Sequence, residues 1–202
     1  MFISSNLLVL WTCAKEDIDE TNCWYLKRVN PSLKKPYQGP ILPRSEDTNS
    51  YEFILGDMLL YETKIEFDFE YFGNTYSQLL VGANGQITFD LSLAGQYNGW
   101  SMDPTDLIPN SEPNFPLNTI YGAFHDLDPS VNPDPARMNY FVTGEAPYRI
   151  FVMNINEMPH FGGSCAGFFT TQQILLYESL NVIDVNLVDK PACIDWNDGL
   201  AD

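Results

Sequence analysis

The stretch "YSQLLVGANGQITFD", Tyr76 to Asp90, decides how this chain is to be read. It places Asn84-Gly85 between two apolar runs, and Asn-Gly so flanked is the strongest short-range signal for a β-hairpin. Pairing Ala83 with Gln86 across the turn sets Gly82 opposite Ile87 and Leu80 opposite Phe89. Those four residues are then expected to share one face.

The pattern continues outward in both directions. Upstream, "KIEFDFEY" alternates strictly: Ile65, Phe67, Phe69 and Tyr71 fall on one face, Glu66, Asp68 and Glu70 on the other. That is a half-buried strand, apolar inward and acidic outward. Downstream, "DLSLAGQYNGWSMDPTDLIPNSEPNFP" reads as a long loop with a short helical turn, pinned by Trp100, Leu107 and Ile108. "NTIYGAFHDL" reads as a small-residue strand running from Ile120 to Leu127. "MNYFVTGEAPYRIFVMNINEMPHF" supplies two strands about Gly144–Pro147, with Tyr148, Ile150, Val152 and Asn154 on one face of the second. "TTQQILLYES" and "NVIDVNLVD" form a last hairpin around Ser179-Leu180. No segment is long enough for a crossover helix, so the fold expected is an all-β antiparallel sandwich of about eight strands with long loops.

Composition agrees. Of 202 residues, 45% are hydrophobic and 14% aromatic, which suits strands with a real core. Ten Lys+Arg against 27 Asp+Glu give a net charge of -17. A phosphate backbone or an anionic membrane needs cationic partners, so neither is an expected ligand. No apolar run of 18 residues exists, so no membrane-spanning helix is expected. Residues 1–22 read as a leader or disordered segment, and residues 23–202 as one domain. "LVLWTC" has the shape of a lipoprotein cleavage site at Cys13, although Trp11 and Thr12 stand where small residues are wanted. The Pro-rich stretch from Asn22 to Ser50 reads as an extended entry segment lying on the domain.

The last hairpin also constrains the cysteines. If Glu178 faces Asn181, paired residue numbers sum to about 359, and Cys165 and Cys193 fall almost opposite one another at its open end. A disulfide there closes a loop of about 29 residues and contributes roughly 3 kcal/mol in chain-entropy terms. It implies an oxidising compartment. Cys13 and Cys23 have no expected pairing. The spacing of the four cysteines and two histidines does not fit a structural zinc site.

Polar candidates concentrate in "YGAFHDLDPS", Tyr121 to Ser130. Asp126 and Asp128 share one face of the expected strand, and His125 takes the other. With Asn132 and Asp134 the two aspartates make a candidate Ca2+ set, though without the glycine and terminal glutamate of an EF-hand. The plainer reading is preferred: Asp-Pro forms turns, and an aspartate that accepts backbone N–H bonds there needs no ligand. A Ser-His-Asp set built on His125 or His160 lacks the G-x-S-x-G elbow. "GGSC" at 162–165 is explained by the disulfide. Tyr97, Trp100 and Tyr121 are candidates for stacking on a glycan.

Taken in order, these motifs resemble nidogen-like extracellular domains. "FEYFGNTYSQLLVGANGQITFD" (Phe69–Asp90) and "IYGAFHDLDPS" (Ile120–Ser130) carry the likeness. The chain is similar in particular to large surface and secreted proteins of gliding bacteria exported by the type IX route. It shares with them "FGNTY", "NGQITFD", "HDLDPS", "GEAPYRIFV", Cys165 with "LYESLNVIDV", and Cys193 with Trp196-Asn197. The resemblance covers about Phe67 to Asn197. It implies a non-catalytic, adhesin-like module of a cell-surface or extracellular protein. Its partners would be neighbouring domains or an extracellular protein or glycan. It also implies a further strand after Asp202, so the domain reads as truncated at its C-terminus. The competing expectation is a secreted glycan-binding module or glycan-active enzyme that uses residues 97–135.

Overall fold

The structure is a computed structural model that describes residues 51–52, 60–101, 105–106, 115–131 and 137–196. Nine strands lie among them: β1 (Tyr51–Glu52), β2 (Leu60–Tyr71), β3 (Asn74–Gly82), β4 (Gln86–Thr88), β5 (Thr119–Tyr121), β6 (Met138–Thr143), β7 (Ile150–Pro159), β8 (Phe169–Tyr177) and β9 (Val182–Asp189). They form two antiparallel sheets, one ordered β1-β6-β7-β8-β9 and the other β2-β3-β4-β5. The expected all-β sandwich is what the chain forms. The expected helical turn is a short 3-10 segment, Leu91–Leu93, whose first turn is capped by the Asp90 carboxylate.

The core lies between the sheets. Ile65, Phe67, Phe69 and Tyr71 of β2 are all buried while Glu62, Lys64, Glu66, Asp68 and Glu70 are exposed, as the alternation requires. They meet Phe151, Met153 and Ile155 of β7, Ile174 and Leu176 of β8, and Ile183 and Val185 of β9. Phe89 anchors one end, its ring 4.5 Å from Tyr76 and 4.9 Å from Tyr71. Burial at this scale is the dominant favourable term for a domain of this size.

The Asn84-Gly85 hairpin forms, with a register one residue away from that expected. Val81 faces Ile87 and Gly82 faces Gln86, so the loop is Ala83-Asn84-Gly85. Of the loop residues only Gly85 takes positive φ, +85°, and its N–H donates to Gly82 O at 3.2 Å. This is the three-residue loop with a left-handed glycine, not the two-residue turn. The inward face is therefore Leu79, Val81, Ile87 and Phe89 rather than Leu80, Gly82, Ile87 and Phe89. The last hairpin keeps its expected register: Tyr177 faces Val182 and Gln173 faces Asn186.

Two features tie the sheets beyond the core. Arg149 forks onto Glu178 (Nε to Oε2 2.8 Å, Nη2 to Oε1 2.6 Å) and donates from Nη1 to Glu66 O in the opposite sheet at 2.6 Å. The guanidinium holds the Glu178 carboxyl well below its usual range, at about 2. Glu66 carries positive φ where the β2–β3 register shifts, and the resulting bulge presents its carbonyl. On the outer face of the five-stranded sheet, Asn139, Asn154, Gln173 and Asn186 stand opposite one another on four successive strands. Asn139, Asn154 and Gln173 are buried, and Gln173 donates to Asn154 Oδ1 at 3.2 Å.

Candidate functional site

The Tyr121–Ser130 stretch lies at one end of the sandwich, where the interior turns polar. Strand β5 ends at Tyr121, earlier than the strand to Leu127 that the sequence suggests. The reason is competition for backbone groups. Gly122 N–H donates to Gly85 O at 2.8 Å, and both backbone groups of Ala123 are taken by one side chain from the other sheet. That side chain is Gln172, whose Oε1 accepts from Ala123 N–H at 2.7 Å and whose Nε2 donates to Ala123 O at 3.0 Å.

Asn84 extends the same layer. It is fully buried; Nδ2 donates to Gly99 O at 2.8 Å and Oδ1 accepts from Leu127 N–H at 2.9 Å. The hairpin tip thus holds the long loop on one side and the polar stretch on the other.

The two histidines meet through a threonine. His125 Nδ1 lies 2.9 Å from Ala123 O, and a carbonyl only accepts, so Nδ1 carries the proton. In the neutral ring Nε2 is then an acceptor, and it lies 2.9 Å from Thr170 Oγ1. The Thr170 hydroxyl donates to His125, and its oxygen accepts from His160 Nε2 at 2.9 Å. The rings stand edge to face at 4.6 Å, and His125 and His160 are 1% and 2% exposed. Chemically this is a chain of proton donors and acceptors shielded from solvent.

Asp126 does not join the histidine chain. Its Oδ2 accepts from the Trp196 indole N–H at 2.9 Å, while Oδ1 is buried with no hydrogen-bond partner among the described residues. Burial pushes its carboxyl up to about 6; the Trp196 bond opposes this and the Asp128 charge adds to it. Trp196 also packs on Phe161 at 5.1 Å and lies so close over Gly162 that a Cβ there would sit 2.9 Å from the indole. The Cys165–Cys193 disulfide, Cα–Cα 5.8 Å, holds the segment that carries Trp196. The bridge inferred from the hairpin register is thus present, and "GGSC" carries no free thiol at Cys165.

The other expected site residues are placed as follows. Asp128 Oδ1 accepts from Ser130 N–H at 2.9 Å and from the Ser130 hydroxyl, an Asx turn at Asp-Pro. Asn132 and Asp134 lie outside the described residues, as do Cys13, Cys23, Leu107 and Ile108. The described residues contain no group of three or more His, Cys, Asp or Glu placed to hold a metal ion. The three aromatics are not alike. Tyr97 is 74% exposed, Trp100 is half-buried with its ring 6.4 Å from Trp196, and Tyr121 is buried. Tyr121 packs edge-on to Phe124 and donates to Pro116 O at 3.1 Å, and burial raises its phenol. It is closed to a stacking ligand. Sequence reading missed Asn84, Thr170, Gln172 and Trp196 as members of this layer. Asn84 and Trp196 had a signal, as parts of the shared "NGQITFD" and "C…WN" motifs, but not one that placed them in this layer.

Two expected results follow from this geometry. Millimolar CaCl2 is expected to leave the melting temperature unchanged, because one oxygen of each aspartate is already committed. A saturable rise lost in Asp126→Asn would reveal a site after all. The second concerns pH. A carboxyl raised from 3.8 to about 6 on folding contributes stability that is fully present below about pH 4 and lost as pH rises through 6. Asp126→Asn keeps an oxygen for Trp196 and removes the titration. Its midpoint in urea should therefore fall less than the wild type's between pH 5 and pH 7.5; equal slopes would show that the carboxylate is not the group involved.

The described residues thus form an antiparallel β-sandwich with a buried polar layer at one end and a disulfide beside it. The chain belongs to the NIDO-related family, whose model matches residues 39–199. This supports the nidogen-like resemblance of its motifs. No curated protein and no solved structure matches the chain. No helix among the described residues is long and apolar enough to cross a membrane.

Proposed function

We propose that this domain is a non-catalytic, adhesin-like module of a larger extracellular or cell-surface protein, of the kind exported by the type IX route in gliding bacteria. The family and the disulfide both point to an extracellular setting. The observation that carries the reading is the use of the polar residues. His125, His160, Thr170, Asn84 and Gln172 are buried and hydrogen-bond within the protein, and the bonds of Gln172 to Ala123 and of Thr170 to His125 join one sheet to the other. A general base must reach a substrate proton, and a nucleophile must reach an electrophile. Here the imidazoles reach Thr170 and a backbone carbonyl instead.

A second reading, glycan binding or glycan chemistry at the 97–135 region, rests on the exposure of Tyr97 beside the half-buried Trp100. A glycan array run together with a glycoside-hydrolase panel separates the two. Silence in both supports the structural module. Array binding lost in Tyr97→Ala supports the second reading, and hydrolysis lost in His125→Ala or Asp126→Asn refutes the first.

A further inference from the structure

The two sheets treat their long edges differently. Strand β2, an edge of the four-stranded sheet, is guarded: Glu62, Lys64, Glu66, Asp68 and Glu70 are exposed along it, and a bulge at Glu66 breaks its register. Proteins blunt edge strands with charge and bulges because an unguarded edge invites another strand. Strand β9, the opposite case, is an edge of the five-stranded sheet. From Val182 to Leu187 it keeps one register with β8 and carries a single charge, Asp184. The irregularity that ends the flat run comes only at Val188. Among the described residues β9 pairs with β8 alone.

The side chains along this edge are apolar and open. Leu187 is 54% exposed and Val188 63%, and Leu180, Val182 and Ile194 are exposed at either end. The charges beside them are Asp184, Asp189 and Asp195 against Lys190, an acidic balance in a chain of net charge -17.

We propose that the β9 edge is a docking surface for an extended, basic strand of another polypeptide. The backbone groups of β9 that face away from β8, unpaired among the described residues, supply main-chain hydrogen bonds, the mode by which a strand adds to a sheet edge. Val182 and Leu187 supply apolar contact, and the aspartates select cationic side chains. A second copy of the chain is disfavoured as occupant, since two bodies of charge -17 repel on approach. The proposal goes beyond the functional reading above, because the edge is distinct from both the polar layer and the Tyr97 surface.

The test uses the full chain and two hexapeptides, one alternating valine and lysine, the other valine and glutamate. Hydrogen exchange read by mass spectrometry should slow at least tenfold over residues 182–189 with the lysine peptide and not with the glutamate peptide. Leu187→Lys and Val182→Lys place a positive charge on exposed positions of the edge and should each weaken lysine-peptide binding about tenfold. Absent protection at saturating peptide overturns the proposal, as does protection confined to another strand or equal binding of both peptides. Sedimentation showing a dimer that protects β9 assigns the edge to a second copy, and overturns it too.

Discussion

Gly85→Val is expected to cost about 3–5 kcal/mol and to leave little folded protein at 37 °C. Two independent penalties meet at this residue. Its φ of +85° lies where a β-branched side chain is a genuine outlier. The space is closed as well: a Cβ would sit 2.5 Å from Gln172 Nε2 and 2.9 Å from Ala123 O. Backbone strain of roughly 1–3 kcal/mol and overpacking of a similar size combine. Gly85→Ala suffers the same two penalties with less bulk and should fall between. Chemical denaturation of both variants checks this. An unchanged midpoint in Gly85→Val would mean that the turn and its packing against Gln172 are wrongly placed.

The second large effect is removal of the disulfide. Cys165→Ala with Cys193→Ala is expected to lower stability by about 2–5 kcal/mol, as loss of a native bridge in a secreted domain commonly does. The structure adds a local readout. Cys193 lies three residues before Trp196, whose indole covers Gly162 and bonds Asp126. The double variant should therefore change the tryptophan emission before global unfolding. Peptide mapping without reductant, after oxidative expression, should recover Cys165 linked to Cys193. Both thiols free in that material would remove the bridge and its argument for an oxidising compartment.

How much of this was legible in the sequence depended on the range of the interaction. The β2 alternation and the β8–β9 register were readable because they follow from side-chain period and from one local turn. The disulfide was readable for the same reason, since it inherits that register. The Asn84-Gly85 loop was readable as a turn but not in its length. Asn-Gly suits both a two-residue loop and a three-residue loop closed by a left-handed glycine, and the choice moved the β3–β4 pairing by one residue. The polar layer was beyond reach. Gln172 meets Ala123 across 49 residues and Thr170 meets His125 across 45. No periodicity marks such pairs; they exist only once two sheets have been laid face to face.

The file of carboxamides on the outer face of the five-stranded sheet bears on how faithfully that sheet assembles. A slip of two residues between neighbouring strands keeps every side chain on its original face, so alternation of apolar and polar residues does not forbid it. The file does. In the native pairing Asn154 lies between Asn139 and Gln173, while the adjoining file is Phe141, Val152 and Leu175. Moving β7 by two residues one way would drive Asn154 in between Phe141 and Leu175; moving it the other way would bring Val152 in among the amides. A buried amide with no partner costs about 1–3 kcal/mol. Each strand thus carries an address as well as a face, and mispaired intermediates are made costly while the chain is still collapsing.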